Sequence, residues 1–367
     1  MEIVSPLSPE WQWYDAVSVI SPEKFPVNRT MKRWTLNQIG RSALTLIDTD
    51  IPQPGPHEVL VRVKAVALNY RDNAIIEGGM GQGMVMPLTP GSDMAGMVEA
   101  VGPGTTRFRT GDRVISSFNA DWIDGRLQNN AREPHYNTLG YGIQGVLAEY
   151  VVLHENWLVS APVTLTDAGA STLVCAGLTA WFALVERGGL RPGETVLVQG
   201  TGGVSLFALQ IAKSLGAEVF VTSSSDEKGA AALALGADHA INRHKEEWVA
   251  AIHRLTDDRG IDHVVETVGG RNFANAVRVV ASQGRISLIG MMDAHDTAAP
   301  GGLLLLKSPT VQGIGVGHRR ALEDLTRAVD QIGLKPVIDS TFPLEALPDA
   351  LAALERGPFG KIVIELG

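Results

Sequence analysis

The sequence predicts an α/β protein of two unlike parts, and three observations predict it. Residues 31–158 read as strands and turns with little helix. From about residue 165 strands alternate with helices, the signature of a parallel sheet with crossover helices. At a strand-to-helix passage in this second part stands a glycine turn, Gly200-Thr201-Gly202-Gly203-Val204-Ser205.

Residues 1–30 carry Pro6, Pro9, Pro22 and Pro26 without a clean period, and read as an N-terminal extension. They are either a covering arm that buries Trp11, Trp13 and Tyr14 or a stretch upstream of a start at Met31. MKRWTL opens the first strand. HEVLVRVKAVAL (57–68) alternates apolar and polar residues, as a half-buried strand does. The Gly- and Met-rich 78–88 stretch is expected to be a mobile lid. GMVEAVGPG (96–104), GDRVIS (111–116) and VLAEYVVL (146–153) read as strands, and the polar stretch 117–145 as a long loop.

DAGASTLVCAGLTAWFALVERG (167–188) reads as helix. The strand 195–199 then leads through the glycine turn into a second helix. This helix sets Val204, Phe207, Ala208, Ile211, Ala212 and Leu215 on one face and ends at Gly216. Strands follow at EVFVT (218–222), HVVET (263–267), RISLIG (285–290) and TVQGIGVG (310–317). RRALEDLTRAVDQIG (319–333) reads as a helix and GKIVIEL (360–366) as the last strand.

Composition narrows the function. Basic residues number 31 and acidic residues 40, a net charge of −9, which argues against a nucleic-acid binder and a polybasic membrane patch. A single cysteine, Cys175, excludes an internal disulfide framework and any multi-cysteine zinc site. No run of about 18 apolar residues suits a membrane span, and the N-terminus does not read as a signal peptide. The expected compartment is the cytoplasm and the expected partner a small-molecule substrate.

The glycine turn matches G-x-G-x-x-G except for Ser205 at the third position. Gly200 permits the tight turn and Gly202 a close backbone approach to a pyrophosphate. The third position needs only a small residue where helix meets strand. Thr201, Gly203 and Val204 complete the turn, and the helix N-terminus offers free N–H groups to phosphates. The next strand ends in Thr222-Ser223-Ser224-Ser225, not in the carboxylate that would bond a ribose 2′-hydroxyl. Those hydroxyls with Lys228 suit a 2′-phosphate, so NADP(H) is favoured over NAD(H). Ser224 and Glu227 also read as a capping box. Val268, Ile289, Gly290, Ile314 and Val316 follow later strands and are expected to line the cofactor at the carboxyl ends of the sheet.

Several segments carry a resemblance: PGPHEVLVRVKAVALNYRD (54–72), TPGSDMAGMVEAVGPG (89–104), FRTGDRV (108–114), CAGLTAW (175–181), VLVQGTGGVSLFALQIAKSLGA (196–217) and GKIVIEL. Together they resemble the medium-chain dehydrogenase/reductase superfamily over nearly all of 31–367. The resemblance implies a GroES-like β-rich catalytic domain at 31–158 and 318–367. It implies a Rossmann cofactor domain, a doubly wound parallel sheet, at 159–317. It places Thr179 near the nicotinamide, the turn at Phe359 and Lys361 near the cleft, and a homodimer joined through Rossmann edge strands.

Zinc enzymes of this superfamily take ligands from C-x-x-D and G-H-E segments and from a later cysteine. Here those places read Asn69-Tyr70-Arg71-Asp72, Gly91-Ser92-Asp93 and Cys175. Two ligands are missing, so the chain resembles the zinc-independent branch, similar to quinone oxidoreductases and enoyl or alkenal reductases, with no metal. Asn69 and Tyr70 become the candidate catalytic pair. Asn69 would donate to a carbonyl oxygen, and Tyr70 either donates or packs inward. Arg71 and Asp72 are expected to pair within the domain, and Arg319 either reaches a phosphate or is a surface charge. His135, His154 and the other histidines are expected at the surface, and Cys175 to pack or line the pocket. The expected activity is NADPH-dependent hydride transfer to an α,β-unsaturated carbonyl or a quinone. The alternatives are an alcohol dehydrogenase acting on alcohols or aldehydes, and a non-enzymatic cofactor-binding protein.

Overall fold

The computed structural model describes residues 30–78, 84–127, 129–132, 137–293 and 296–367. The N-terminal extension up to residue 29, residues 79–83 of the expected lid, and His135 lie outside the described residues.

The first part opens with β1 (Thr30–Leu36) and β2 (Leu44–Asp50), an antiparallel pair. The long β3 (Glu58–Leu68) follows and runs straight into α1 (Tyr70–Glu77). Alternation in β3 stops short of its end, because Ala65 and Ala67 also pack against Ala168 and Val363 and the last residues are buried throughout. Leu88 is no lid residue, since its amide and carbonyl pair with Leu36. Next come β4 (Asp93–Val101), β5 (Arg113–Ser116), β6 (Tyr150–His154) and β7 (Leu158–Ser160).

The stretch expected as one helix at 167–188 is broken. It holds α2 (Asp167–Ser171), a wide π-helical turn at Leu173–Gly177, α3 (Leu178–Trp181) and a second π turn at Phe182–Glu186. Such widened turns often mark functional sites. The first of them carries Cys175.

Strands and helices then alternate as β8 (Thr195–Gln199), α4 (Gly203–Ser214), β9 (Glu218–Ser223), α5 (Asp226–Ala234) and β10 (His239–Asn242). They continue as α6 (Trp248–Leu255), β11 (Ile261–Glu266), α7 (Phe273–Val279), β12 (Val280–Leu288), α8 (Gly301–Lys307) and β13 (Thr310–Gly313). After α9 (Arg319–Ile332) the chain closes with β14 (Ile338–Pro343), α10 (Leu347–Glu355) and β15 (Lys361–Glu365).

These strands make two main sheets. The seven-stranded sheet has the path β14-β15-β3-β4-β5-β7, with β6 also on β3. The last strand therefore returns to the first part, and β15 runs antiparallel to the end of β3. The six-stranded sheet has the order β10-β9-β8-β11-β12-β13, all parallel. It is covered on both faces. Val196, Val198, Phe207, Ile211 and Leu325 pack on one side, and Leu197, Phe220, Ile252 and Val264 on the other. Burying each large side chain contributes about 1.5–3 kcal/mol. The strand order reverses between β8 and β11, and in open parallel sheets ligands bind in the crevice at such a reversal. Among the described residues no helix is long and apolar enough to cross a membrane.

Candidate active site

The glycine turn sits at this reversal. Gly200 has φ 75°, a conformation that favours glycine. A Cβ added at Gly200 or at Gly202 would meet nothing within 4 Å, so open space lies above the turn. Gly202 is the N-cap of α4 and makes no side-chain cap bond, which leaves the first amides of the helix for a ligand. A dinucleotide pyrophosphate fits this cradle. Ser205 stands at the third motif position without loss, because its buried hydroxyl donates to Gln199 O at 2.7 Å and ties helix to strand. Thr222 is buried, and its Oγ1 accepts from Gly200 N at 3.2 Å, so it holds the turn.

At the far end of the cradle, Ser223 is buried and donates to Ser225 O at 2.9 Å. The helix cap is Ser225, whose Oγ accepts from Lys228 N. It is not Ser224, because β9 runs one residue further than expected. Ser224 is exposed. Lys228 lies one turn into α5 and its ammonium donates to Gly357 O at 2.5 Å. Asp226 is bonded by Asn242 and ion-paired with Lys245. Arg243, which sequence reasoning missed, donates its backbone N–H to Ser223 O at 3.0 Å with its side chain exposed. A basic residue directly after a third parallel strand was the signal.

Further along the crevice, Thr179 is buried on α3. Val268, Ile289 and Gly290 follow the ends of β11 and β12, half-buried. The expected strand 310–317 ends at Gly313, and Ile314 and Val316 lie in the irregular crossover toward α9. Val316 has φ 69°, a strained value for a β-branched residue. Asn119, also missed, holds it there: its Nδ2 donates to Gly315 O at 3.3 Å and Gly317 O at 3.2 Å. Arg319 does not reach toward the cradle, because its guanidinium bonds Asn156 at 2.8 Å. His263 and His318 are buried rather than at the surface, bonded to Glu194 and to Ala321 N.

The polar cluster lies beside the first residue of α4. Asn69 is the corner between β3 and α1, and Asp72 Oδ2 accepts its backbone N–H at 2.7 Å. Asp93 begins β4, and its carboxylate accepts from Ser92 Oγ at 2.6 Å and Cys175 N at 3.0 Å. Lys361 begins β15 and donates to Leu68 O at 2.5 Å and to Asn69 Oδ1 at 2.6 Å. The fold thus gathers Asn69, Ser92 and Cys175 around Asp93 and Lys361. Asn69 Nδ2 is buried and makes no well-formed hydrogen bond among the described residues, although the Asn69 side chain lies against the Asp93 carboxylate and favours its charged form. Tyr70 does not pack inward, as the residue is 60% exposed at the first turn of α1. Arg71 acts on the Asp72 carboxylate through its charge. Its guanidinium donates to Thr138 Oγ1 at 2.8 Å and lies over the Phe118 ring.

Burial raises the Asp72 carboxyl to about 6, against the pull of Arg71. Burial also raises Asp93, with Lys361 the largest opposing influence. Cys175 keeps part of its surface exposed, yet its packing and the Asp93 charge push the thiol up to about 12. The donor set suits zinc poorly: Asn69 Oδ1 is bound to an ammonium and Ser92 is bound to Asp93, which leaves Cys175 as the one strong ligand of the three. No group of three His, Cys, Asp or Glu side chains among the described residues is arranged to hold a metal.

Comparison with known proteins gives two family models. The alcohol dehydrogenase GroES-like domain matches residues 55–163, and the zinc-binding dehydrogenase domain matches 203–332. A zinc-type alcohol dehydrogenase-like protein of Schizosaccharomyces pombe is 37% identical over 86% of this chain and 93% of its own length. The quinone oxidoreductase of Rattus norvegicus is 28% identical over 87% of this chain and 92% of its own. A crystal structure from Sinorhizobium meliloti 1021, provisionally assigned as an alcohol dehydrogenase, is 56% identical with a TM-score of 0.90, covering 92% of this chain and 99% of that one.

Proposed function

Because the chain belongs to the medium-chain dehydrogenase/reductase superfamily and is an oxidoreductase, we propose that it transfers hydride from NADPH, without zinc, to an α,β-unsaturated carbonyl or a quinone. The observation that carries this reading is the Asn69 amide: buried, with its oxygen held by Lys361 and its NH2 on the side of the Asp93 carboxylate without a well-formed hydrogen bond among the described residues. Its NH2 keeps a donor to offer a substrate oxygen.

The dinucleotide, when bound, supplies the hydride. Gly200 and Gly202 admit its pyrophosphate, and the amides of the first turn of α4 bind it. Ser224, Lys228 and Arg243 form the basic, hydroxyl-bearing end that takes the 2′-phosphate. Asp226 does not repel it, being neutralised by Lys245. The Ile314–Val316 crossover, held by Asn119, borders the nicotinamide end. Asn69 Nδ2 donates to the substrate oxygen as negative charge gathers there. An enolate spreads that charge, so a neutral donor suffices where a simple ketone would call for a Lewis acid. Tyr70, exposed beside Asn69, is placed to donate a proton or hold the water that does.

The same reading has the protein working in the cytoplasm on a small-molecule substrate, as a homodimer. Supporting the dimer, β13 ends the parallel sheet, and Leu305, Leu306 and Val311 beside its free edge are 78%, 81% and 42% exposed.

The test is NADPH oxidation after dialysis against a chelator. The panel holds enals, enones and quinones together with simple ketones and aldehydes. Turnover is expected with members of the first group, with kcat/KM for NADPH exceeding that for NADH by about tenfold, worth ~1.4 kcal/mol. Turnover confined to simple aldehydes and ketones, or abolished by chelation, would make the protein an alcohol dehydrogenase instead.

A further inference from the structure

Lys361 opens β15, whose next residues Ile362, Val363 and Ile364 are core. Among the described residues it is the only buried lysine, 4% exposed. Lysine is seldom buried without partners that offset its desolvation. Its Nζ has Leu68 O and Asn69 Oδ1, from the far end of the antiparallel neighbour β3. Its stem lies over the start of α4, where a Cβ on Gly203 would come 2.5 Å from Lys361 Cδ and 3.2 Å from Ala176 Cβ. One ammonium thus stands between the Asn69 corner, the Asp93 carboxylate, the turn that carries Cys175, and the dinucleotide cradle.

We infer that the Lys361 ammonium is the built-in cation of this site: it stands where the superfamily's zinc enzymes keep a metal, and it orients the Asn69 amide toward the substrate oxygen. The second half rests on the reductase reading above, and the first does not. The orientation follows from donor and acceptor chemistry. An ammonium carries only donors, and an amide has one acceptor end and one donor end. Only Oδ1 can face Lys361, so the NH2 must face away, on the side of the Asp93 carboxylate, and its bond to a cation makes the amide a stronger donor. Flipping the amide would set donors against donors. Lys361 touches no reacting atom and is a positioning residue.

Lys361→Met tests this, since it keeps the stem over Gly203 and removes the charge. The variant is expected to bind NADPH within about threefold of the wild-type Kd in a fluorescence titration. Its kcat with an enone or quinone is expected to fall about 100-fold, the scale of losing one oriented donor. Lys361→Arg is expected to recover part of that loss. Should Lys361→Met fail to fold, Lys361→Gln carries the same measurements. Weakened NADPH binding with kcat unchanged at saturation would assign Lys361 to the cofactor phosphates and overturn the inference. A second arm needs no turnover. Wild-type protein incubated with Co(II) is expected to show no thiolate-to-cobalt charge-transfer absorption. Such a band, removed by Cys175→Ser, would put a metal where the ammonium is assigned. If the wild type reduces no enone or quinone, the reductase reading fails alone, and the cobalt measurement still decides the cation.

Discussion

Asp72 shows how one buried residue at the site writes itself into stability. Its carboxyl is raised from 3.8 to about 6, mainly by burial, and its Oδ1 has no bond among the described residues. The folded state therefore holds a proton that the unfolded chain has lost. The resulting stability is fully present below pH 3.8 and is lost as pH rises through about 6. Asp72→Asn keeps an acceptor for Asn69 N–H and removes the titration. In urea titrations between pH 4 and 7 the variant is expected to lack that decline, which amounts to at most about 3 kcal/mol. An equally steep decline in the variant would show that the proton sits elsewhere. At this scale the sequence was partly legible. Asn69 announced itself by standing where a ligand was missing. Arg243, Asn119 and the cation role of Lys361 did not, because each depends on a neighbour distant along the chain.

At the scale of elements, the turn between β8 and α4 separates affinity from stability. Gly202 has φ −80°, open to any residue, and a Cβ there meets nothing within 4 Å. Gly202→Ala is expected to leave the thermal midpoint within about 2 °C of wild type, since neither strain nor clash is added. It is expected to weaken NADPH binding at least about tenfold, because the methyl fills the pyrophosphate's place. Calorimetric melting and a fluorescence titration separate the two effects. Unchanged affinity would move the phosphates away from this turn. The turn and α4 were readable because their signal is local: two glycines, a small third residue and a helical apolar stripe. The 167–188 stretch was not, since composition alone does not foretell the two π turns. α1 escaped as well, although Asp72 three residues after Asn69 is a start signal in plain sight.

For the whole molecule, the exposed edge at β13 and α8 is the face where a second copy is proposed to dock. Leu305→Glu with Leu306→Glu is expected to convert a dimer to a monomer in light scattering. NADPH binding should remain, because both residues lie outside the cradle. A wild-type monomer at micromolar concentration would sink the proposal. The sequence by itself determined the two-part architecture, the parallel sheet and the glycine turn into α4. Each of these is carried by periodicity, turn chemistry or the residue type at a motif position, and such signals span a few neighbouring residues. Only the tertiary structure decided that a lysine ammonium is buried against the Asn69 corner. Lys361 and Asn69 are 292 residues apart, and the pairing of β15 with β3 brings them within 2.6 Å. A lysine at the head of a strand is ordinarily solvated. This one is buried because the last strand returns to the first sheet, where a carbonyl, an amide oxygen and two carboxylates make charge tolerable.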